Sequence, residues 1–488
     1  MAGSSKKSAK KRKANPSNQD AAQNLWAFRR PERQILSAAM LMIFLGFLSI
    51  LGSRHAEVSS GSSSSEAGFD FNQWIMLLIW VGCIITTHLV MLVSRSKSDP
   101  VMVGIVLCLA GFGILAQYRM KVYEGVFTGD SWQRPGALAF PIGIILMVIT
   151  HQLFRNGRYL FLKKVWPLWL IGSLGVVGYV IYSGERFRGA IMLSGNLTPT
   201  EVLKLFIPLT MTGFLLLAFR ENKSIKNRKK APKKNVKRKK KPSQSKKLSP
   251  VVWLPMGISM LVILGGLVYQ RDLGMVLILC VSIGFQIFAG IGIWWILPLM
   301  GAGLVIAVAI VQNQFPHALA RFDVWFNPFS DPRGDGWQIL QSFSGMYSGG
   351  LWGEGWGQGD PERIPIANSD FIYSVIGEEM GFLGCFILII LMVVFINRAY
   401  RVTEATPDDF GRILGSGLVS VLAVQMIVNI GGVVKVLPLT GVPLNFVSHG
   451  GTSLVTSFVI LGLILALNDS QKPVLPDKKP KLRQKTKA

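Results

Sequence analysis

Apolar runs of about 17 or more residues recur along this chain, and each is long enough to cross about 30 Å of hydrocarbon as a helix. A backbone in lipid must satisfy its own polar groups, so a chain dominated by such runs has little open to it besides a helical bundle. The expected fold is an all-α polytopic membrane protein of about twelve transmembrane helices. Its spans lie near 36–52, 74–93, 101–117, 137–153, 165–183, 201–219, 251–269, 273–291, 293–312, 371–397, 411–430 and 452–468.

Charge assigns the sides. Half of the 488 residues are apolar and 16% are charged, yet the formal net charge is +26. Most of the excess lies in residues 6–13, 223–247 and 472–487, all flanking spans. This pattern fits cytoplasmic segments resting against anionic lipid. No aromatic residue interleaves with the lysines to stack on bases, which argues against a nucleic-acid partner. With both termini cytoplasmic, Arg95, Arg155, Lys163, Arg398 and Arg412 fall on the same side as the basic runs.

The chain then divides into a basic tail (1–35), a membrane half of about six helices (36–219), a basic cytoplasmic loop (220–249), a second membrane half (250–468) and a basic tail (469–488). The 220–249 loop is too polar to bury a core and is expected to be disordered. A large extracytoplasmic loop, 313–370, precedes the third-last helix. The four cysteines fall inside apolar runs without paired spacing, so neither a disulfide framework nor a zinc site is expected. The first apolar block lacks a small-residue cleavage site and reads as a retained span.

Polar residues that break these runs carry the functional signal. Asp370 ends the long loop in Ser369-Asp370-Phe371, with Glu378 and Glu379 about two turns deeper. Carboxylates at such a boundary are costly. A Ser-Asp pair also makes a good helix cap, so capping is the plainer alternative for Asp370. Glu378 is offset from Asp370 by only about 80° around a helix, which permits a second acidic role beneath it. Glu201 and Lys204, in Pro199-Thr-Glu-Val-Leu-Lys204, share one helix face. They form either an ion pair that makes the helix tolerable in lipid or a substrate-contacting surface. Asp272, in Gln270-Arg-Asp-Leu-Gly274, marks a turn between two spans. It either tips a hairpin or orients other groups. The loop itself is long for an idle connection and rich in glycine and tryptophan. Further along, Asn429-Ile-Gly431, Leu437-Pro-Leu-Thr-Gly441 and Phe446-Val-Ser-His-Gly-Gly-Thr-Ser453 imply irregular backbone, with Lys435, Ser448 and His449 able to face a polar headgroup.

In order and spacing these motifs closely resemble the shape, elongation, division and sporulation (SEDS) family, the RodA and FtsW group of bacterial peptidoglycan glycosyltransferases. The resemblance covers about residues 185–468. It implies a core of ten helices with about two added at the N-terminus, in the bacterial cytoplasmic membrane. It implies polymerisation of lipid II, the undecaprenyl-pyrophosphate disaccharide pentapeptide, at the outer face, beside a class B penicillin-binding protein. Asp370 aligns with the family's catalytic aspartate, and Glu201 and Lys204 match a signature beside the membrane cavity. On this reading Arg321, Arg363 and Lys435 are candidate cations for the pyrophosphate, and Asp272, Ser448 and His449 are candidate substrate contacts. Glu378 and Glu379 are the supporting acids. Mg²⁺ or Mn²⁺ is a candidate helper at Asp370, and no organic cofactor is expected. The chain departs from the family pattern at Arg271, Met275, Ile366, Asn368, Asn445 and His449. Two rivals stay open: a lipid II flippase, which charged residues lining a path through the whole bilayer would favour, and a non-catalytic scaffold for the transpeptidase, which the departures at Ile366 and Asn368 keep alive.

Overall fold

The computed structural model describes residues 25–59, 72–123, 138–187, 190–192, 198–228, 250–292, 294–296, 298–303 and 316–469. Its helices are α1 (Arg30–Ser59), α2 (Asn72–Val93), α3 (Pro100–Arg119), α4 (Ala139–Phe154), α5 (Trp166–Ser183), α6 (Leu203–Arg228), α7 (Pro250–Tyr269) and α8 (Leu273–Ile291). They continue with α9 (Pro316–Phe326), α10 (Trp337–Gly349), α11 (Ile372–Glu404), α12 (Asp409–Val433) and α13 (Gly451–Asp469).

Among the described residues ten helices are long and apolar enough to cross a membrane, and α4 is a shorter apolar helix of 16 residues. The expected span 293–312 falls mostly outside the described residues. The described helices on either side of it reach opposite ends of the bundle. Helix α8 starts at Asp272 and finishes beside Ile413, near the start of α12. Helix α9 is back at the first end, where Trp325 Nε1 donates to Lys435 O at 3.1 Å.

Side-chain contacts sort the connections into two ends. At one, Arg398 pairs with Asp99 at 3.1 Å, Lys97 N donates to Asp469 at 2.6 Å, and Tyr159 donates to Asp408. At the other, Thr198 meets Thr452 at 2.6 Å, Arg119 reaches Gly359 O, and His449 N donates to Asn368 O at 2.9 Å. These are the two sets of connections that the charge pattern separates.

Local sequence fixes the helix starts. Asp99 accepts from Val101 N and Met102 N at 2.9 and 3.0 Å, with Pro100 supplying the first helical φ. Helix α3 is apolar all round and buried along nearly its whole length, so it forms the spine against which α1, α11 and the 444–449 segment pack. A second apolar cluster joins α6, α7 and α8.

The helical class stands, with three details that differ from expectation. Glu185–Phe187 and Ala190–Met192 pair antiparallel as a small hairpin beside the bundle. The 313–370 loop contains α9 and α10, since its tryptophan and phenylalanine residues alternate with polar ones at helical spacing. Helix α6 continues to Arg228, past the expected boundary at 219. The basic runs themselves lie largely outside the described residues.

Candidate functional site

Asp370 lies in a tight turn immediately before α11. The residue at the helix cap is Phe371, one position after Asp370, and it makes no side-chain capping bond. The Asp370 carboxylate accepts from Ser369 Oγ at 2.9 Å, and its other oxygen faces Gly441, where an added Cβ would stand 3.5 Å away. The turn is held in an uncommon backbone state: Ile366 has φ 54°, costly for a β-branched residue.

The segment 442–450 braces this turn from behind. Ser448 Oγ donates to Ser369 O at 2.6 Å while accepting from Leu444 N at 2.8 Å. His449 N donates to Asn368 O at 2.9 Å, and its Nδ1 lies 3.3 Å from Gln117 Oε1. Burial holds the His449 imidazole below its ordinary pKa. The brace is seated on α3 because Gly113 has no side chain: a Cβ there would strike Val447 O at 2.2 Å. Ser448 thus braces the backbone with its one hydroxyl proton, and a second acceptor lone pair remains on its oxygen.

A second polar cluster adjoins the first. Lys204 is fully buried, pairs with Glu201 and donates to Ser453 Oγ at 3.0 Å. Asp272 caps α8 by accepting from Met275 N at 3.1 Å, and Thr200 Oγ1 reaches its other oxygen at 3.5 Å. Burial raises the Asp272 pKa most, Met275 N–H lowers it, Glu201 raises it, and Lys204 and Arg321 lower it. Arg321 is exposed and reaches Thr440 O at 3.4 Å. The cluster meets Asp370 through residues 440–442, since Gly274 packs against Thr440 and Val442 while Gly441 faces the carboxylate.

The remaining predicted residues go elsewhere. Glu378 accepts from Asp360 N at 2.6 Å, and Glu379 accepts from Gly357 N at 2.7 Å beside Arg119 at 3.2 Å. Both acids hold residues 354–360 onto α11, so a second acidic role under Asp370 is not what the fold gives them. Their backbone carbonyls receive Glu354 N and Gly355 N at 3.0 Å each. Arg363 pairs with Asp360 at 2.6 Å and is 73% exposed, and Lys435 donates to Phe326 O at 3.3 Å. Neither cation is drawn to the Asp370 turn by these contacts.

Sequence reasoning missed Arg119, Gln117 and the role of Asn429, whose Nδ2 donates to Asp370 O and Val442 O. Arg119 carried a signal, being a cation on the side where cations are scarce. Gln117 carried none, and the Asn429-Ile-Gly431 motif marked Asn429 without naming its partners, because an amide in an apolar run does not announce them.

A family model described as cell cycle protein (FtsW, RodA, SpoVE) matches residues 99–473. The peptidoglycan glycosyltransferase RodA of Mycobacterium tuberculosis is 35% identical over 218 residues, 44% of this chain and 46% of its own length. The chain therefore spans about half the length of that relative. The RodA of Mycobacterium leprae is 27% identical, with 88% of this chain and 90% of the relative covered. A probable peptidoglycan glycosyltransferase FtsW of Trichlorobacter lovleyi is 30% identical, covering 77% of this chain and 94% of the relative. Among solved structures, a chain of a peptidoglycan synthase complex that coordinates polymerization and crosslinking superposes with a TM-score of 0.57 at 23% identity, over 76% of this chain and 98% of that one. The Thermus thermophilus rod shape determining protein RodA, in a point-mutant form, gives 0.51 at 22% identity over 77% and 99%. These likenesses support the fold.

Proposed function

The chain belongs to the FtsW, RodA and SpoVE family of cell cycle proteins, and from that premise we propose that it is a glycosyltransferase polymerising lipid II into glycan strands. The observation that carries the reading is the pinned Asp370 turn, braced by Ser448, His449 and Asn429 and facing the side-chain-free Gly441. Such a carboxylate is positioned by the protein at the mouth of the helix.

In the proposed reaction a sugar hydroxyl attacks the anomeric carbon of a second lipid-linked sugar. The new C–O bond forms as the bond to pyrophosphate breaks, and pyrophosphate leaves with the electron pair. Asp370 accepts the hydroxyl proton. Arg321, on the same side as Thr440 and Gly441, supplies positive charge toward the leaving group. Among the described residues no three His, Cys, Asp or Glu side chains form a metal cluster. As the alternative to that base role, Asp370 would hold a hard cation such as Mg²⁺ or Mn²⁺ together with oxygens from pyrophosphate and water, the kind of ligand set Mg²⁺ takes. The cation would neutralise leaving-group charge.

The orientation proposed puts the Asp370 end outside the cytoplasmic membrane and the Asp99–Arg398 end, with both termini, in the cytoplasm. The lysine-rich runs and the positive-inside rule support this. A class B penicillin-binding protein is the proposed partner, and anionic lipid the proposed contact of the basic runs. Replacing Asp370 by Asn in purified protein, with that partner present, tests the reading. Loss of polymer at unchanged thermal stability is expected; undiminished polymer moves the chemistry elsewhere, and no polymer from the wild type refutes the activity.

A further inference from the structure

Gln117 fixes the proton of a neighbouring histidine. Its Nε2 donates to Val447 O at 2.9 Å, and a carbonyl can only accept, so Oε1 is turned the other way. Tyr123 donates its hydroxyl to that Oε1, and burial raises the phenol's pKa, so it keeps its proton. His449 Nδ1 lies 3.3 Å from the same oxygen. An amide oxygen cannot donate, so Nδ1 carries the hydrogen and Nε2 carries the lone pair.

The imidazole is neutral near pH 7, because burial lowers its pKa and no charged group offsets that. Tyr123, acting through Gln117, faces it from beyond α3. From the opposite side come the uncharged Asn368 and Ser369, with Asp370 next along. Nε2 bonds to no protein group among the described residues and is not among the buried unpartnered atoms, so it is accessible from outside the packed protein. The ring's own backbone N–H is tied to Asn368 O, two residues from Asp370. A lone pair of set direction is therefore built onto the segment that carries the carboxylate.

We propose that His449 Nε2 is an acceptor subsite that hydrogen-bonds a hydroxyl or acetamido N–H of the sugar held at Asp370. The proposal rests on the glycosyltransferase reading of the site. Protonation converts the acceptor into a donor, so sugar binding weakens as pH falls through the histidine's lowered pKa.

The test is lipid II binding to full-length protein in nanodiscs, on an Asp370→Asn background that removes turnover, from pH 8 down to about pH 5. The parent is expected to lose roughly three- to tenfold in affinity over that range, the worth of one hydrogen bond. Adding His449→Gln keeps an acceptor that does not titrate, so its profile should run flatter than the parent's. Adding His449→Phe should bind roughly three- to tenfold more weakly at pH 8. A His449→Phe protein of full affinity, or a His449→Gln profile parallel to the parent, overturns the proposal. Should His449→Phe fail to fold, the Gln comparison decides. Polymer formed by Asp370→Asn alone would refute the proposed chemistry while leaving the binding profile readable.

Discussion

Asn429 holds the carbonyl of Asp370 at 2.9 Å with the same Nδ2 that donates to Val442 O at 2.7 Å. One buried amide on α12 thereby clamps the aspartate's turn to the residue that follows Gly441. The clamp helps set the spacing between the aspartate's turn and Gly441.

Asn429→Ala leaves both carbonyls without that donor, at a cost of about 1–3 kcal/mol each if no water replaces it. Polymerisation should fall further than the loss of folded protein explains. Thermal unfolding in detergent and polymer yield at a temperature where both proteins are folded separate the two effects. Full activity in the variant would remove Asn429 from the site.

Gly381 sits inside α11 at φ 65° and ψ −166°, and a Cβ there would meet Gly353 N at 2.3 Å. That backbone state is open almost only to glycine. Gly381→Ala should cost about 3 kcal/mol or more and detach residues 349–359 from the helix. Gly257, with nothing within 4 Å of its added Cβ, is the control. Gly257→Ala should leave the melting temperature nearly unchanged or raise it.

Arg119 and Glu379 form a largely buried pair at 3.2 Å, with side-chain exposures of 12% and 0%. Arg119→Ala strands the carboxylate and should destabilise by about 3–5 kcal/mol. Adding Glu379→Gln removes the stranded charge while keeping an acceptor for Gly357 N, so stability should partly return. A double-mutant cycle by chemical denaturation measures this; additive losses would show that the pair is not coupled.

Asp272 holds its proton more tightly folded than unfolded, because burial raises its pKa. Stability from this group is therefore greatest below the unfolded value of about 3.9 and is lost as pH rises through the higher folded value. Asp272→Asn keeps a carbonyl to accept from Met275 N and should abolish that loss. Unfolding curves collected upward from about pH 4 check the sign; identical pH slopes in the two proteins would contradict it.

Ile366, at φ 54°, strains the turn that ends in Asp370. Asn tolerates this state far better than a β-branched residue, so Ile366→Asn should stabilise by about 1 kcal/mol. A lower melting temperature would mean that packing of the isoleucine outweighs its backbone cost.

Much of the bundle was legible because the signal is local. Helices α2, α3, α7, α8 and α13 begin and end within about two residues of the apolar runs. The Glu201–Lys204 pair was equally readable, since three residues along a helix bring two side chains together whatever surrounds them. Glu378 misled for the opposite reason. Helical offset alone associates it with Asp370, but Asp360 N, 18 residues earlier, claimed its carboxylate.

From the sequence alone follow the crossings, their alternation and the sides that charge assigns, because hydrocarbon thickness and lysine placement act on each segment separately. Tertiary structure alone decided which polar groups became partners. Gln117 meets His449 across more than 300 residues, and Asn429 meets Asp370 across 59, as neighbours on packed helices. Those meetings depend on where glycines such as Gly113 let one backbone approach another. Only the packed bundle specifies such an approach.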